Sequence, residues 1–103
     1  MNERYLNAKV NLGRCGLLAF AERLATRRGF TLEQLVGVGR KPSLVEARFE
    51  FWTVLRDSTA LSSAEIATLT GHDHTSVLHG VAKHRAKLAK HYGPWVPSAG
   101  VAA

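Results

Sequence analysis

The densest run of side chains able to do chemistry is Gly71-His72-Asp73-His74-Thr75-Ser76-Val77-Leu78-His79-Gly80. Asp73, His74, Thr75 and Ser76 stand directly ahead of Val77 and Leu78, where a helical apolar pattern opens. Asp73 suits the position that caps a helix start. Short polar side chains in the first turn of a helix are the ones a major groove admits to base edges. An aspartate there accepts from a cytosine amino group, a histidine bonds a purine edge, and a threonine methyl packs on the methyl of thymine. The plainer reading is a capped helix end, with Asp73 as the cap and His74 covering it.

The histidines invite a second chemistry. His72, His74, His79, His84 and His91 lie within one short stretch. His74, His79 and His84 recur at five-residue steps, which distributes them over different helix faces. A metal-binding pair on a helix prefers a spacing of about four, and no second carboxylate lies near Asp73 to hold magnesium. No metal, no cofactor and no catalytic residue is expected, and the protein is not expected to be an enzyme.

The chain must supply elements that position this run. It has 103 residues, one domain's worth, with 46% hydrophobic and 21% charged residues, an ordinary globular balance. A formal net charge of +6 with a pI near 10.1 is less ordinary and favours a polyanion as partner. The single Cys15 excludes an internal disulfide or a cysteine-rich zinc site and fits a reducing cytoplasm. No apolar stretch at the start resembles a signal segment, and the run Leu17 to Ala21 falls far short of the roughly 20 residues that span a bilayer. A soluble cytoplasmic protein without a membrane partner is the expectation.

Residues 1–16 read as an N-terminal arm, 17–91 as a helical domain and 92–103 as a flexible tail broken by Gly93, Pro94 and Pro97. Leu17, Phe20, Ala21, Leu24 and Ala25 give a first helix that Gly29 stops. Thr31 caps a short helix through Leu35. Gly37-Val38-Gly39-Arg40-Lys41-Pro42 reads as a basic loop. Ser43 is then the expected cap of a helix buried along Leu44, Ala47, Phe51, Trp52 and Leu55, with Arg48 and Arg56 outside that stripe. Ser62 and Glu65 have capping-box spacing, Gly71 ends their helix, and Val77, Leu78, Val81 and Leu88 mark the buried face of the last one. Two helices joined by a short glycine-containing turn form the helix-turn-helix plan.

The Asp-His-Thr-Ser-Val-Leu-His run resembles the signature that opens the recognition helix of the C-terminal DNA-binding domain of DnaA, the bacterial replication initiator. The resemblance extends upstream through Ser62 to Ile66, the helix from Ser43 and the basic loop at Arg40-Lys41, covering roughly residues 20 to 90. It implies an all-α domain of about five helices with a helix-turn-helix, of the DnaA C-terminal or Trp-repressor-like kind, binding double-stranded DNA in a sequence-specific manner. By position, Arg40 matches the loop arginine that enters the minor groove, a role that suits a guanidinium beside glycines. Arg48, Arg56 and Lys83 match positions that touch phosphates. Lys41, Ser63, His72, Asp73, His74, Thr75, Ser76 and His79 complete the expected DNA-binding set.

The chain departs from the family at Gly71-His72, where the family has Gly-Gly-Arg, at Phe49 in place of glutamine, and at Ala64 in place of proline. These changes fall close to the DNA and point to a different or weaker preferred site. No Gly-x-x-x-x-Gly-Lys-Ser/Thr loop occurs, so the ATPase of the full initiator is missing. A stand-alone regulator of transcription or replication is implied, associated with the bacterial nucleoid, and a phage or mobile-element origin would suit its size. The alternatives are a helical module that docks on a protein partner such as the initiator, favoured by an exposed Phe49 or Trp95, and a histidine-metal nuclease.

Overall fold

The computed structural model describes residues 3–92, which form six α-helices and no strand: α1 (Glu3–Arg14), α2 (Leu18–Arg27), α3 (Leu32–Val36), α4 (Pro42–Ser58), α5 (Ser63–Thr70) and α6 (His74–Tyr92). The all-α class expected from the sequence is what the chain adopts. Tyr92, assigned above to the tail, still belongs to α6, and the remainder of that tail lies outside the described residues.

The extra helix is α1. The segment read as an arm is helical and packs against α5, α2 and α3, with Ala8 and Leu12 fully buried. Tyr5, Ala8 and Leu12 form its inward stripe, which the interspersed Leu6 and Val10 disguise in the sequence.

α4 is the central element. Leu44, Ala47, Phe51, Trp52 and Leu55 are all buried, as their spacing predicts. The cap, however, is not Ser43. Lys41 occupies the N-cap position and Pro42 the first helical turn, where a missing N–H and a fixed φ cost nothing. Thr31 closes a capping box with Gln34, and Ser62 closes one with Glu65. These boxes set where α3 and α5 begin.

Gly71 ends α5 at φ +72°, a left-handed conformation that favours glycine. The Arg4 side chain of α1 donates to its carbonyl. Beside it, the His72 backbone N–H donates to Ala67 O at 2.9 Å. Its ring Nε2 donates to Val36 O at 3.0 Å, since a carbonyl can only accept. The ring also stands edge-on to Trp52, with centroids 4.9 Å apart. The turn is thereby tied to α1, α3 and α4 at once. Burial pushes the His72 pKa down to about 4; the positive charge of Arg4 adds to this, and the bond to Val36 only partly opposes it.

α6 lies most extensively against α4. Val77 and Val81 are buried, but Leu78, expected in the same stripe, is 49% exposed. The inward row runs through Val77, Gly80 and Val81, and Leu78 sits one residue off it. A Cβ at Gly80 would stand 2.6 Å from Phe49 Cδ1 and 2.7 Å from Trp52 Cε3, so the missing side chain lets α6 approach α4 closely.

Two outcomes follow from this packing. In Gly80→Ala the overpacking cost of about 1–3 kcal/mol should exceed the helix-propensity gain of about 1 kcal/mol, lowering the urea midpoint. A raised midpoint would mean that the two rings yield freely. The second outcome concerns His72, whose folded pKa lies below its unfolded value near 6.5. The unfolded chain therefore binds the extra proton, so the stability due to neutral His72 is complete above about pH 6.5 and is lost as pH falls towards about 4. Urea unfolding at pH 7 and pH 4.5 should register that loss, and His72→Gln should make it smaller. An unchanged pH slope in the variant would assign the loss to other groups.

Candidate nucleic-acid interface

The loop between α3 and α4, the face of α4 and the first turns of α6 enclose a concavity of about 450 Å³. Its walls include Arg40, Arg48, His72, Thr75, Ser76 and His79, half of the twelve residues singled out from the sequence. Arg40, His74, Thr75 and Ser76 are exposed, and their side chains make no hydrogen bond or ion pair with any described residue. Asp73 is also exposed. Its carbonyl accepts from Val77 N at 3.1 Å and so opens α6, but its carboxylate makes no capping bond. The carboxylate is left to solvent at the positive end of a long helix, where the helix dipole favours it.

Arg48 requires a correction. It is not on an outer face but 5% exposed, with Nε donating to Leu35 O at 2.9 Å, Nη1 to Gly39 O at 3.0 Å and Nη2 to Gln34 O at 3.0 Å. Burial, and then the charge of Arg4, pull its pKa below the ordinary guanidinium value. Residue 48 falls between Ala47 and the buried pair Phe51 and Trp52, so the helical period turns it inward. The carbonyls at the end of α3 supply the partners that such burial demands. Arg48 is the clamp that shapes the loop bearing Arg40.

The other candidates divide by accessibility. Lys41 is exposed, with Nζ 6.0 Å from the centre of the Phe30 ring. Arg56 is exposed and donates to Leu61 O at 3.1 Å. Lys83 is exposed, without a partner among the described residues, about one turn beyond His79. His79 meets the Phe49 ring edge-on at 6.1 Å. Ser63, in contrast, is buried at the start of α5, and the His72 ring is directed inward to Val36 and Trp52, so neither offers an open side chain.

Phe49 is half-buried and stacked on Trp52 at 5.8 Å, so it is no free aromatic anchor. Trp95 lies outside the described residues. The apolar residues that do stand open beside the site are Val38, 66% exposed, and Leu78. Sequence reasoning passed over Val38, an apolar residue held between two loop glycines, and the helical spacing assigned Leu78 to the buried face. Among the described residues no three His, Cys, Asp or Glu side chains gather as a metal would require. No helix among them is long and apolar enough to cross a membrane.

In comparisons with known proteins, no family model and no solved structure matches this chain. Among curated proteins it is similar to the chromosomal replication initiator protein DnaA of Thermomicrobium roseum, 44% identical over 59 residues. That stretch is 56% of this chain but only 13% of the initiator, so the likeness is to a small part of that protein.

Proposed function

We propose that this chain binds double-stranded DNA through a helix-turn-helix made by α5, the turn 71–73 and α6. The first turn of α6 enters the major groove and Arg40 the adjacent minor groove. The observation that carries this reading is the meeting of Arg40 with Thr75 and Ser76 at one concavity, all exposed and without protein partners. A first turn of that composition can reach base edges, and a guanidinium on a glycine-rich loop suits a narrow, negative groove. Lys83 and Arg56 then lie where phosphates would pass, fixing register without reading sequence. The net charge of +6 and the partial likeness to a chromosomal replication initiator support the same reading.

In this reading the matched stretch corresponds to the initiator's C-terminal DNA-binding part. The chain acts by occupying its sites in the bacterial cytoplasm, regulating replication or transcription, and it catalyses nothing. A second reading, a module that docks on a protein, is favoured by Leu6 and Val10, which are 40% and 53% exposed on α1. Salt separates the two, because phosphate binding weakens steeply with salt and apolar docking does not.

The test begins with a duplex selected from random DNA and a scrambled control, titrated by fluorescence anisotropy at several salt concentrations. His74→Ala should lose on the order of 1–3 kcal/mol on the selected duplex and much less on the control. Lys83→Gln should weaken both about equally and reduce the log-log salt slope by about one. Equal losses for His74→Ala on both duplexes would mean that α6 does not read bases. Arg40→Ala should be most deficient on sites with a narrow A·T-rich flank. A deficit independent of the flank would make Arg40 a general phosphate contact.

A further inference from the structure

Phe49 walls a second hollow as well as the first. This one, of about 310 Å³, lies between the end of α2, α4 and the middle of α6. Arg28, Lys83 and Lys87 line it with a single carboxylate, that of Glu46, and with the half-buried His84. Burial, above all, holds the His84 pKa below the ordinary histidine value, so at neutral pH three cations face one acid. The ridge Thr75, His79, Lys83 and Lys87, at steps of four along α6, joins the two hollows. Its first two residues line the first hollow and its last two the second. Several donors are available there. Lys83 has no partner among the described residues. Arg28 donates from Nε and Nη2 to Glu50, at 2.8 Å each, which fixes its plane and leaves Nη1 unused. Lys87 Nζ stands 3.1 Å from Glu46 Oε2, and both side chains are about half exposed. A pair so exposed contributes little stability, so its carboxylate is exchanged for another anion at little cost.

We propose that this hollow seats one phosphate of the duplex backbone, and that Glu46 holds the place in the free protein as a competing anion. The phosphate takes Lys83 and the unused Nη1 of Arg28, and Lys87 exchanges Glu46 for it. A phosphate presents several acceptor oxygens, which suits charged donors that arrive from two helices. The ridge selects the occupant, since a strand whose bases meet Thr75 and Ser76 carries its backbone along α6 towards Lys83. The seat rests on the DNA-binding reading and extends that interface to α2. By holding Lys87, Glu46 lowers the affinity for every duplex alike, because a phosphate contact carries no sequence information.

The Glu46→Gln chain is titrated by anisotropy on the selected and the scrambled duplex at several salt concentrations. With Lys87 released, affinity should rise on both duplexes alike, on the order of fivefold to tenfold at about 0.1 M salt, and the log-log slope should steepen by about one. Glu22→Gln removes the same charge from an exposed position that lines no part of the hollow. It should move affinity by less than about twofold, since salt screens distant surface charges. Adding Lys87→Gln to Glu46→Gln should cancel the gain. Arg28→Gln should weaken both duplexes and flatten the slope by about one. An equal gain from Glu22→Gln, or a gain that survives Lys87→Gln, would make the effect one of net charge and overturn the seat. An unchanged slope in Glu46→Gln or in Arg28→Gln does the same. If no duplex binds either the wild-type or the Glu46→Gln chain, the DNA reading itself has failed. If the wild-type chain binds and Glu46→Gln binds no more tightly, only the seat has.

Discussion

The fold turns on one buried guanidinium. Arg48 projects from α4 into the end of α3 and bonds three carbonyls there and in the following loop. The last carbonyls of a helix have no partner within it, and a five-residue helix such as α3 has few others to hold it. A planar fork with donors on three nitrogens meets all three oxygens at once, which an ammonium on a single point cannot do. Without it the buried Leu35 carbonyl would lose its partner at about 1–3 kcal/mol, and Gln34 O would keep only the bond from Gly37 N–H. The loop from Gly37 to Lys41 would then have no fixed shape. Arg40 stands free on that loop because Arg48 does not.

Several of the remaining charges are paired with one another. Arg27 and Arg28 pair with Glu50, Lys87 with Glu46 and Arg85 with Asp57, joining α2, α4 and the later turns of α6. Exposed pairs of this kind add little stability, but they neutralise the cations that form them. Arg40 and Lys83 have no acidic partner, although Lys83 lines the same hollow as Arg28, Glu46 and Lys87. Arg40 thus leaves an unpaired cation on the loop beside the exposed first turn of α6.

Much of this was legible from residue types and spacing. Capping residues marked α3 and α5, the period of α4 gave its buried row, and Gly71 gave the stop before α6. What could not be read depends on contacts distant in sequence. Arg48 looks like any surface arginine until the end of α3 is brought against it, and burial of a charge is decided by those carbonyls rather than by its neighbours in the chain. His72 likewise looks like part of the exposed polar run, yet Val36, far away in sequence, draws its ring inward. The helix α1 was hidden because apolar residues fall on both of its faces. Leu78 misled for the same reason, standing beside the buried Val77.

The packing of α1 bears on how small this domain can be made. Its buried residues belong to the same apolar cluster as those of α2 to α6, and Arg4 reaches across to the carbonyl of Gly71. A chain shortened to begin at Gly16 would leave apolar surface of α5 open to water and untie the turn that sets the start of α6. The shortest autonomous folding unit thus begins ahead of the first helix that the sequence pattern reveals, and deletion of that leading segment is a core mutation, not the trimming of an arm.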